Sequence, residues 1–400
     1  MKMLRKIIFF VMSCMLAVMS AQQITVGAVG DCSAKAAVVY DPVSGEFLYE
    51  KNADTRLPMA STTKIMSALI ALENGNLDEQ FTVDPEAIKT EGSSMGLREG
   101  DKVTMRGLVC GMLLPSGNDA ANAAAVRCMG SIEKFVDEMN RRAEQMGLRD
   151  THFVTPSGLD DDTDEHFSTA RDMAKLAAAA LENEDFAAIC SQKYIKLEFG
   201  NPHEPRWLTN SNKLLGSCEG VIGVKTGFTD KARRCLVSAC ERDGARLICV
   251  TLNDPDDWRD HSALYDSAFA QMQTCVLKGS GKLFTVKAAG GTADEFSAAC
   301  RQVSMALPVS AADKVRCEYR VKKFAFAPVK CGEKVGEAVF YIGGREIARE
   351  PITAGEDVAQ APSDKEITAG TASFASWKSC LIKLTRRRAL PVTYSRLAKG

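Results

Sequence analysis

The sequence predicts an α+β protein, in which a large domain of antiparallel sheet and helices precedes a small all-β domain and a C-terminal amphipathic tail. The chain has 400 residues, more than one domain usually contains. Strand patterns lie near both ends of residues 30–278, with helical patterns between them. After Gly279 the pattern changes to short strand-like stretches separated by turns. These observations divide the chain into domains at 30–278 and 279–360, a linker at 361–373 and a tail at 374–400.

The first 21 residues have the features of a signal peptide. Basic residues at positions 2, 5 and 6 precede an apolar run from Ile7 to Met19, and the small residues Ser20 and Ala21 suit a signal peptidase. We therefore expect residues 1–21 to direct export. Two alternatives stay open: an uncleaved anchor, for which the apolar run is short, and attachment of a lipid at Cys14.

The large domain is predicted to begin with a hairpin, to be helical in its middle and to end in a sheet. The hairpin is expected at 36–50, and Pro58 precedes a helical pattern at about 60–74. Pro115 stops a second helical run, so residues 116–117 form a corner between two helices. Further helices are expected at 118–128, 132–145, 170–181 and 262–274, strands at 221–226, 235–240 and 246–252, and strands of the small domain at 283–287, 315–321 and 336–342.

The composition is that of a soluble globular protein and argues against nucleic acid as a partner. Apolar residues make up 46% of the chain, charged residues 25%, and the net charge is -1. The 14 cysteines lack close pairing or a metal-ligand spacing, so most are interpreted as buried, small apolar residues. The four histidines have no metal-ligand spacing either, and none suits a Ser-His-Asp site, so we expect no metal or organic cofactor.

A serine and a lysine lie three residues apart where the first of these helices begins. Ser61 and Lys64 share one face of the helix, so the amine can reach the hydroxyl. A serine hydroxyl needs an adjacent base to become a nucleophile, and a buried lysine near other cations can lose its proton. A second Ser-x-x-Lys, Ser131 to Lys134, is interpreted as a helix N-cap followed by a solvated lysine.

Two further motifs follow in settings that can converge on the same cleft. Ser116 and Asn118, at the corner between helices, offer a hydroxyl to relay protons and an amide to hold a peptide. Residues 225–227, Lys-Thr-Gly, end a predicted strand and offer a cation, a hydroxyl and a glycine that lets substrate backbone approach. A helix start, an interhelical corner and a sheet edge are compatible with one active site.

In this order the three motifs resemble those of the active-site serine penicillin-recognising enzymes. Within that group the chain looks most like the low-molecular-mass penicillin-binding proteins that are serine-type D-alanyl-D-alanine carboxypeptidases. The resemblance runs from about Lys35 to Val358 and implies a β-lactamase/transpeptidase-like fold for the large domain. It also includes the segments between the motifs, at 156–159, 166–172, 210–215, 327–330 and 332–348.

The resemblance implies a role for each motif residue. Ser61 would be the nucleophile and Lys64 the general base, while Ser116 would relay protons and Asn118 would hold the substrate. Lys225 and Thr226 would bind the terminal carboxylate, and Gly227 would let the substrate backbone approach. The backbone N–H groups of Ser61 and Phe228 would form the oxyanion hole. Peptidoglycan stem peptides would be the substrate and β-lactams covalent inhibitors, at the outer face of a bacterial cell membrane or in the cell wall. Arg233 departs from the family, whose members tend to have glycine there, and Arg259 is a further candidate carboxylate ligand.

The sequence thus predicts a carboxypeptidase that removes the terminal D-alanine through an acyl-Ser61 intermediate. A β-lactamase would share the motifs but needs an added deacylating base, and no glutamate is placed by sequence to supply it. A wall-binding scaffold with a vestigial site is the alternative outside the enzymes, and the intact motifs argue against it.

The tail carries the pattern of a helix that lies on a membrane. Phe374, Trp377, Leu381 and Leu384 fall on one side of a helix, and basic residues accumulate beside and beyond them. We expect the tail to bind anionic headgroups and acyl chains at an interface. A solvated basic extension is the alternative.

Overall fold

The computed structural model describes residues 32–74, 76–160 and 163–362. The predicted signal peptide, the tail and the linker from residue 363 onward lie outside the described residues. Within the described ranges, no helix is long and apolar enough to cross a membrane.

The described residues form two compact units. The first contains the residues up to Lys282 together with Cys300–Arg320 and Glu337–Pro351. The second contains Leu283–Ala299, Val321–Gly336 and the residues from Ile352.

The helices and strands alternate in blocks along the chain. The strands are β1 Ala36–Tyr40, β2 Phe47–Lys51, β3 Gln80–Thr82, β4 Lys102–Thr104, β5 Tyr194–Gly200, β6 His203–Thr209, β7 Val221–Thr229, β8 Arg233–Arg242, β9 Ala245–Leu252, β10 Met272–Val276, β11 Leu283–Ala289, β12 Glu295–Cys300, β13 Ser304–Pro308, β14 Arg316–Val321, β15 Phe324–Phe326, β16 Lys334–Ile342 and β17 Arg345–Ala354. The helices are α1 Lys64–Glu73, α2 Met105–Leu113, α3 Asn118–Met129, α4 Ile132–Gln145, α5 Ala170–Ala180, α6 Glu184–Cys190, α7 Asp257–Phe269 and α8 Val309–Ala312, and a short 3-10 helix, Ala60–Thr63, leads into α1.

A five-stranded antiparallel sheet in the order β2-β1-β9-β8-β7 is the centre of the first unit. Its two faces belong to different cores, because successive residues of a strand point to opposite sides. Val38 packs into the core that contains helices α1 to α6, whereas Ala37 and Val39 pack into the core that contains α7. Complete burial of a valine side chain contributes about 1.5–3 kcal/mol, so β1 is held firmly from both sides.

The remaining strands form smaller sheets and a final β-rich region. The pairs β3–β4, β5–β6 and β10–β13 each make a two-stranded sheet, and the C-terminal strands form a six-stranded sheet in the order β14-β16-β17-β12-β11-β15. Antiparallel sheet with helices, followed by a β-rich C-terminal part, confirms the predicted fold class.

Several elements of the structure differ from the sequence prediction or are absent from it, among them the end of the large domain and one hairpin. The last helix of the large domain spans 257–269 instead of 262–274, because acidic residues Asp257 and Asp260 in its first turn favour a helix N-terminus there. Residues 272–276 form β10, which pairs with β13, a partner that local periodicity cannot reveal. The hairpin β5–β6 is absent from the sequence prediction, although exposed and partly buried residues alternate along β5 and Gly-Asn-Pro at 200–202 forms its turn.

Most of the cysteines within the described ranges are buried as small apolar residues, as predicted, and all of those described are free. Cys110, Cys190 and Cys235 are buried, and burial raises the pKa of each thiol to about 12. Cys331, in contrast, is exposed.

Two glycines allow backbone segments to meet beside the start of α1. Gly158 has a φ of +89°, and a Cβ there would lie 2.1 Å from the carbonyl oxygen of Ala60. A Cβ on Gly227 of β7 would lie 3.0 Å from the carbonyl oxygen of Met59. The residues around Ser61 are therefore held between two segments that come from later in the chain.

The substitution Gly158→Ala tests this packing. A Cβ at residue 158 must displace the backbone of Ala60, in addition to the cost of about 1–2 kcal/mol for a left-handed L-residue. We expect a lower melting temperature and slower reaction of Ser61 with penicillin. Gly130→Ala is the matched control, because Gly130 also has a positive φ, +81°, but a Cβ there would meet no atom within 4 Å. Equal losses of stability in the two variants would contradict the packing argument.

Candidate active site

The three motifs line one cleft of about 410 Å³ in the first unit. Its lining residues are Ser61, Ser93, Pro115, Ser116, Ser211, Lys213, Thr226, Gly227, Phe228, Arg234, Asp257 and Trp258. Of the eight predicted site residues, Ser61, Ser116, Thr226, Gly227 and Phe228 are among them. Lys64, Asn118 and Lys225 are buried. A larger cavity of about 560 Å³, at the turn between β8 and β9, contains none of the predicted site residues.

The amine of Lys64 has three oxygen neighbours. Its Nζ lies 2.8 Å from Ser61 Oγ, 2.7 Å from Asn118 Oδ1 and 2.6 Å from the carbonyl oxygen of Ser157. A neutral amine has two N–H donors and one lone pair. Asn118 Oδ1 and the Ser157 carbonyl oxygen can only accept, so they take the two donors. The lone pair then faces Ser61, whose O–H can donate to it, and this is the arrangement that a general base requires.

The surroundings of Lys64 favour this neutral form. Lys64 is fully buried, and burial, with the Lys225 ammonium as the second cause, lowers its pKa well below the usual value. Asp119 opposes this change more weakly. Burial also lowers the pKa of Lys225, to about 7.

Asn118 and the loop in front of it are fixed by hydrogen bonds at the N-terminus of α3. Asn118 Nδ2 donates to the carbonyl oxygen of Glu91 at 2.7 Å. The carboxylate of Asp119 accepts the backbone N–H groups of Met95, Gly96 and Leu97 at 2.9, 3.1 and 3.0 Å. This carboxylate holds the loop that contributes Ser93 to the cleft.

Ser116 lies at the corner between α2 and α3 with a φ of +69°. This left-handed conformation is unfavourable for a serine, and Ala60, just before Ser61, has a φ of +48°. Residues in such conformations persist where the surrounding structure fixes them, and they are frequent at active sites. Ser211 helps to fix the corner, because its N–H and its Oγ both donate to the carbonyl oxygen of Leu114, at 3.1 and 2.8 Å.

Strand β7 contributes the third motif. Thr226, Gly227 and Phe228 line the cleft, whereas the Nζ of Lys225 lies within the protein and donates to the carbonyl oxygen of Thr226 at 2.8 Å. Arg233, at a position where the family resemblance implied glycine, has a φ of +58°, a value that glycine adopts more easily. Its guanidinium lies 5.8 Å from the centre of the Phe228 ring, at the rim of the cleft.

The structure separates Arg259, the further candidate carboxylate ligand, from the cleft-lining residues. Its guanidinium pairs with Asp256 at 2.8 Å and with Asp260 at 3.1 Å. Instead, Arg234, Lys213 and Trp258 line the cleft. Sequence reasoning missed these three, because each lies outside the motifs and only the pairing of β7 with β8 brings Arg234 beside Phe228.

No histidine is among the cleft-lining residues. His166 is buried, and burial lowers its pKa to about 3. Its Nδ1 accepts the N–H of Val154 at 2.9 Å, so its Nε2 carries the proton and donates to Thr63 Oγ1 at 2.8 Å. His166 therefore supports the helix turn that carries Ser61 and does not act as its base.

One group of potential metal ligands comes together within the described residues: Cys32, Asp254 and Asp260. It does not line the cleft, and oxygens of both carboxylates accept hydrogen bonds from Ser33. The chemistry of the cleft itself needs no ligand from this group.

The fold and the cleft together define an active-site serine peptidase of the penicillin-binding type. A family model described as D-alanyl-D-alanine carboxypeptidase matches residues 19–256, and another, described as the C-terminal domain of penicillin-binding protein 5, matches residues 274–360. The first match covers more than half of the chain. The chain therefore belongs to the D-alanyl-D-alanine carboxypeptidase family of serine peptidases.

Individual relatives agree with this assignment. The D-alanyl-D-alanine carboxypeptidase DacF of Bacillus subtilis is 32% identical over 341 residues, which are 82% of this chain and 86% of that protein. DacC of Escherichia coli is 32% identical over 345 residues, which are 81% of this chain and 84% of that protein. Among solved structures, DacD from Francisella tularensis has a TM-score of 0.60 at 28% identity over 84% of this chain and 95% of that one. The Streptomyces K15 DD-transpeptidase has a TM-score of 0.58 at 33% identity, over 60% of this chain and 98% of that one.

The electrostatic coupling between the two buried lysines predicts a shift in pH dependence. Lys225→Met removes the cation that helps to lower the pKa of Lys64, so that pKa should rise. Lys64 is then protonated at higher pH, and the acid limb of the profile of penicillin acylation rate against pH should move to higher pH. Lys231→Met, which removes a cation that pairs with Asp164 instead, should leave the limb in place. An unmoved limb in Lys225→Met would contradict the coupling.

Proposed function

We propose that this chain removes the terminal D-alanine from peptidoglycan pentapeptides through an acyl-Ser61 intermediate. The observation that supports this most strongly is the approach of Lys64 Nζ to Ser61 Oγ, 2.8 Å, with the amine's other two neighbours both acceptors. Family membership supplies the substrate class, because the relatives are named for D-alanyl-D-alanine.

In the acylation step, Ser61 Oγ attacks the carbonyl carbon of the bond between the two D-alanines as Lys64 Nζ takes the hydroxyl proton. The carbonyl oxygen becomes an oxyanion, for which the backbone N–H groups of Ser61 and Phe228 are the proposed donors. When the intermediate collapses, the C–N bond breaks and the leaving amine gains a proton from Lys64. Ser116, which lines the cleft at the corner, is the proposed relay for that proton.

In the deacylation step, water attacks the acyl ester and Lys64 again accepts a proton. The C–O bond to Ser61 breaks, Ser61 Oγ recovers its proton, and the shortened peptide leaves. Each turnover thus consumes one water and releases one D-alanine, and the residues of the cleft return to their starting protonation states. We infer that Asn118 and Thr226 hold the peptide during both steps.

The cleft favours a carboxypeptidase over a β-lactamase. A β-lactamase of this mechanism needs an additional base that activates water against the acyl ester. Among the described residues that line the cleft, Asp257 is the single carboxylate, and it pairs with Arg234. The ordered site around Lys64 also argues against a wall-binding scaffold, in which buried amines and strained corners would have no use.

We expect Ser61→Ala to abolish both activities of the site. Release of D-alanine from a pentapeptide should fall at least about a thousandfold, and covalent labelling by a fluorescent penicillin should disappear. The control is Ser131→Ala, since Ser131 belongs to the other Ser-x-x-Lys and its Oγ accepts the N–H of Lys134, as a helix N-cap. Labelling that persists in Ser61→Ala would mean that another residue is the nucleophile.

We further propose that the enzyme works outside the cytoplasm, with the tail on the membrane surface. The supporting features are in the sequence: the signal-peptide pattern at 1–21 and the stripe of Phe374, Trp377, Leu381 and Leu384 beside basic residues. On this proposal the domain at 30–278 carries out catalysis and residues 374–400 bind the membrane, with the domain at 279–360 and the linker at 361–373 between them along the chain.

Deleting residues 374–400 tests the anchor. Mature full-length protein should co-sediment with anionic liposomes, more strongly at low salt, and the truncated protein should stay in solution. Both forms should hydrolyse small soluble D-Ala-D-Ala peptides at the same rate. Equal sedimentation of the two forms would contradict the anchor and leave the tail as a solvated extension.

A further inference from the structure

His166 and Thr63 are buried polar residues that the proposed mechanism does not use. The Nε2–H of His166 donates to Thr63 Oγ1 at 2.8 Å, and Oγ1 also lies 2.8 Å from the carbonyl oxygen of Ala60. A hydroxyl has one proton, and Oγ1 already accepts from the imidazole, so Thr63 donates its proton to Ala60. Hydrogen bonds thus lead from His166 to the peptide that joins Ala60 to Ser61.

His166 sets the direction of these hydrogen bonds. Its Nδ1 accepts the N–H of Val154 at 2.9 Å, which places the proton of the neutral ring on Nε2. Burial lowers the pKa of His166 to about 3, so the ring stays neutral at neutral pH. A charged ring would carry a proton on Nδ1 as well, and the N–H of Val154 would lose its acceptor.

The backbone next to His166 is held on both sides. Phe167 exchanges two N–H···O bonds with His152, at 2.9 and 3.1 Å. Ser168 exchanges two with Leu57, at 2.8 and 3.0 Å, and Leu57 lies just before the turn that carries the nucleophile. The imidazole is therefore placed by paired backbone segments, which position a side chain more precisely than a free loop does.

The carbonyl oxygen of Ala60 is fixed between Thr63 and Gly158. A Cβ at residue 158 would lie 2.1 Å from this oxygen, so the oxygen rests against the backbone of Gly158. The φ of Ala60, +48°, is unfavourable for an alanine, so the orientation of the following peptide depends on such neighbours. Because a trans peptide is planar, the N–H of Ser61 points away from these buried groups.

We propose that His166 and Thr63 are positioning residues for the oxyanion hole. They hold the peptide between Ala60 and Ser61 so that the N–H of Ser61 faces the carbonyl oxygen of the substrate. The inference rests on the proposed function and deepens it, because it assigns the alignment of one oxyanion donor to residues that do not touch the substrate. A donor stabilises the transition state only if it is aimed at the developing charge, so a tilted peptide slows acylation while the nucleophile and the base remain.

The first test removes the hydroxyl of Thr63. In Thr63→Val, which has nearly the same shape, the rate constant of acylation by penicillin should fall about 10- to 100-fold, less than or similar to the loss of a whole oxyanion donor. The carbonyl stretch of the isotope-labelled penicilloyl ester, measured by difference infrared spectroscopy, should move to higher frequency, because a weaker hydrogen bond polarises the carbonyl less. Thr63→Ser keeps the hydroxyl and should restore both readouts. Thr62→Val is the matched control, since buried Thr62 donates to the carbonyl oxygen of Met59, in the preceding peptide, and should leave the stretch in place.

The second test changes the imidazole. His166→Leu removes both the donor to Thr63 and the acceptor beside it, so the carbonyl stretch should move in the same direction. His166→Gln, whose amide offers one donor and one acceptor, should restore it. His261→Leu is the control: His261 is also buried, with its ring nitrogens 2.7 Å from Ser238 Oγ and 3.0 Å from Thr251 Oγ1, and it is absent from the described residues that line the cleft. That variant should lower the melting temperature without moving the stretch.

The outcomes separate a positioning role from a structural one. An unmoved carbonyl stretch in folded Thr63→Val and His166→Leu would overturn the inference, whatever their rates. Equal shifts in Thr62→Val and His261→Leu would also overturn it, since the stretch would then report a general loosening of the fold. A wild type that forms the penicilloyl ester but releases no D-alanine from a pentapeptide would overturn the proposed carboxypeptidase function, and the carbonyl stretch would still decide the inference.

Discussion

The burial of one amine is the constraint on which the rest of the site depends. An ammonium taken from water into the protein interior loses several kcal/mol of solvation, so Lys64 is far easier to bury without its proton. Its two acceptor neighbours, Asn118 Oδ1 and the carbonyl oxygen of Ser157, then direct its lone pair to Ser61. The corner at Ser116, the loop held by Asp119 and the close approach at Gly158 all serve to keep these atoms around the amine.

The sheet determines what else can face that serine. Because β7 lies at one edge of the five-stranded sheet, with Gly227 against the 3-10 helix, Thr226 and Phe228 on its other face line the cleft at that edge. The next strand inward, β8, then adds Arg234 to the same face. Motif residues and a residue from outside the motifs thus become neighbours through strand pairing alone.

Local patterns predicted much of this molecule and missed what depends on distant contacts. The helix at Ser61, the corner after Pro115 and the strand that carries Lys-Thr-Gly follow from periodicity and from proline and glycine, which act locally. Strand β10 is fixed by β13, a partner about 30 residues further along the chain that the local pattern does not show. In the site, the motifs named the residues, but spacing could not tell that Lys225 would point inward and Arg259 away from the cleft.

The buried thiols have a practical consequence for the study of this enzyme. With a pKa of about 12, a thiol such as Cys110, Cys190 or Cys235 stays protonated at pH 8, and only a thiolate attacks an alkylating reagent. The folded first unit is therefore protected from alkylation at these positions, whereas exposed Cys331 is accessible. A maleimide dye should label Cys331 in the native protein. The slower rate at which the buried cysteines become labelled would then report how fast the core opens.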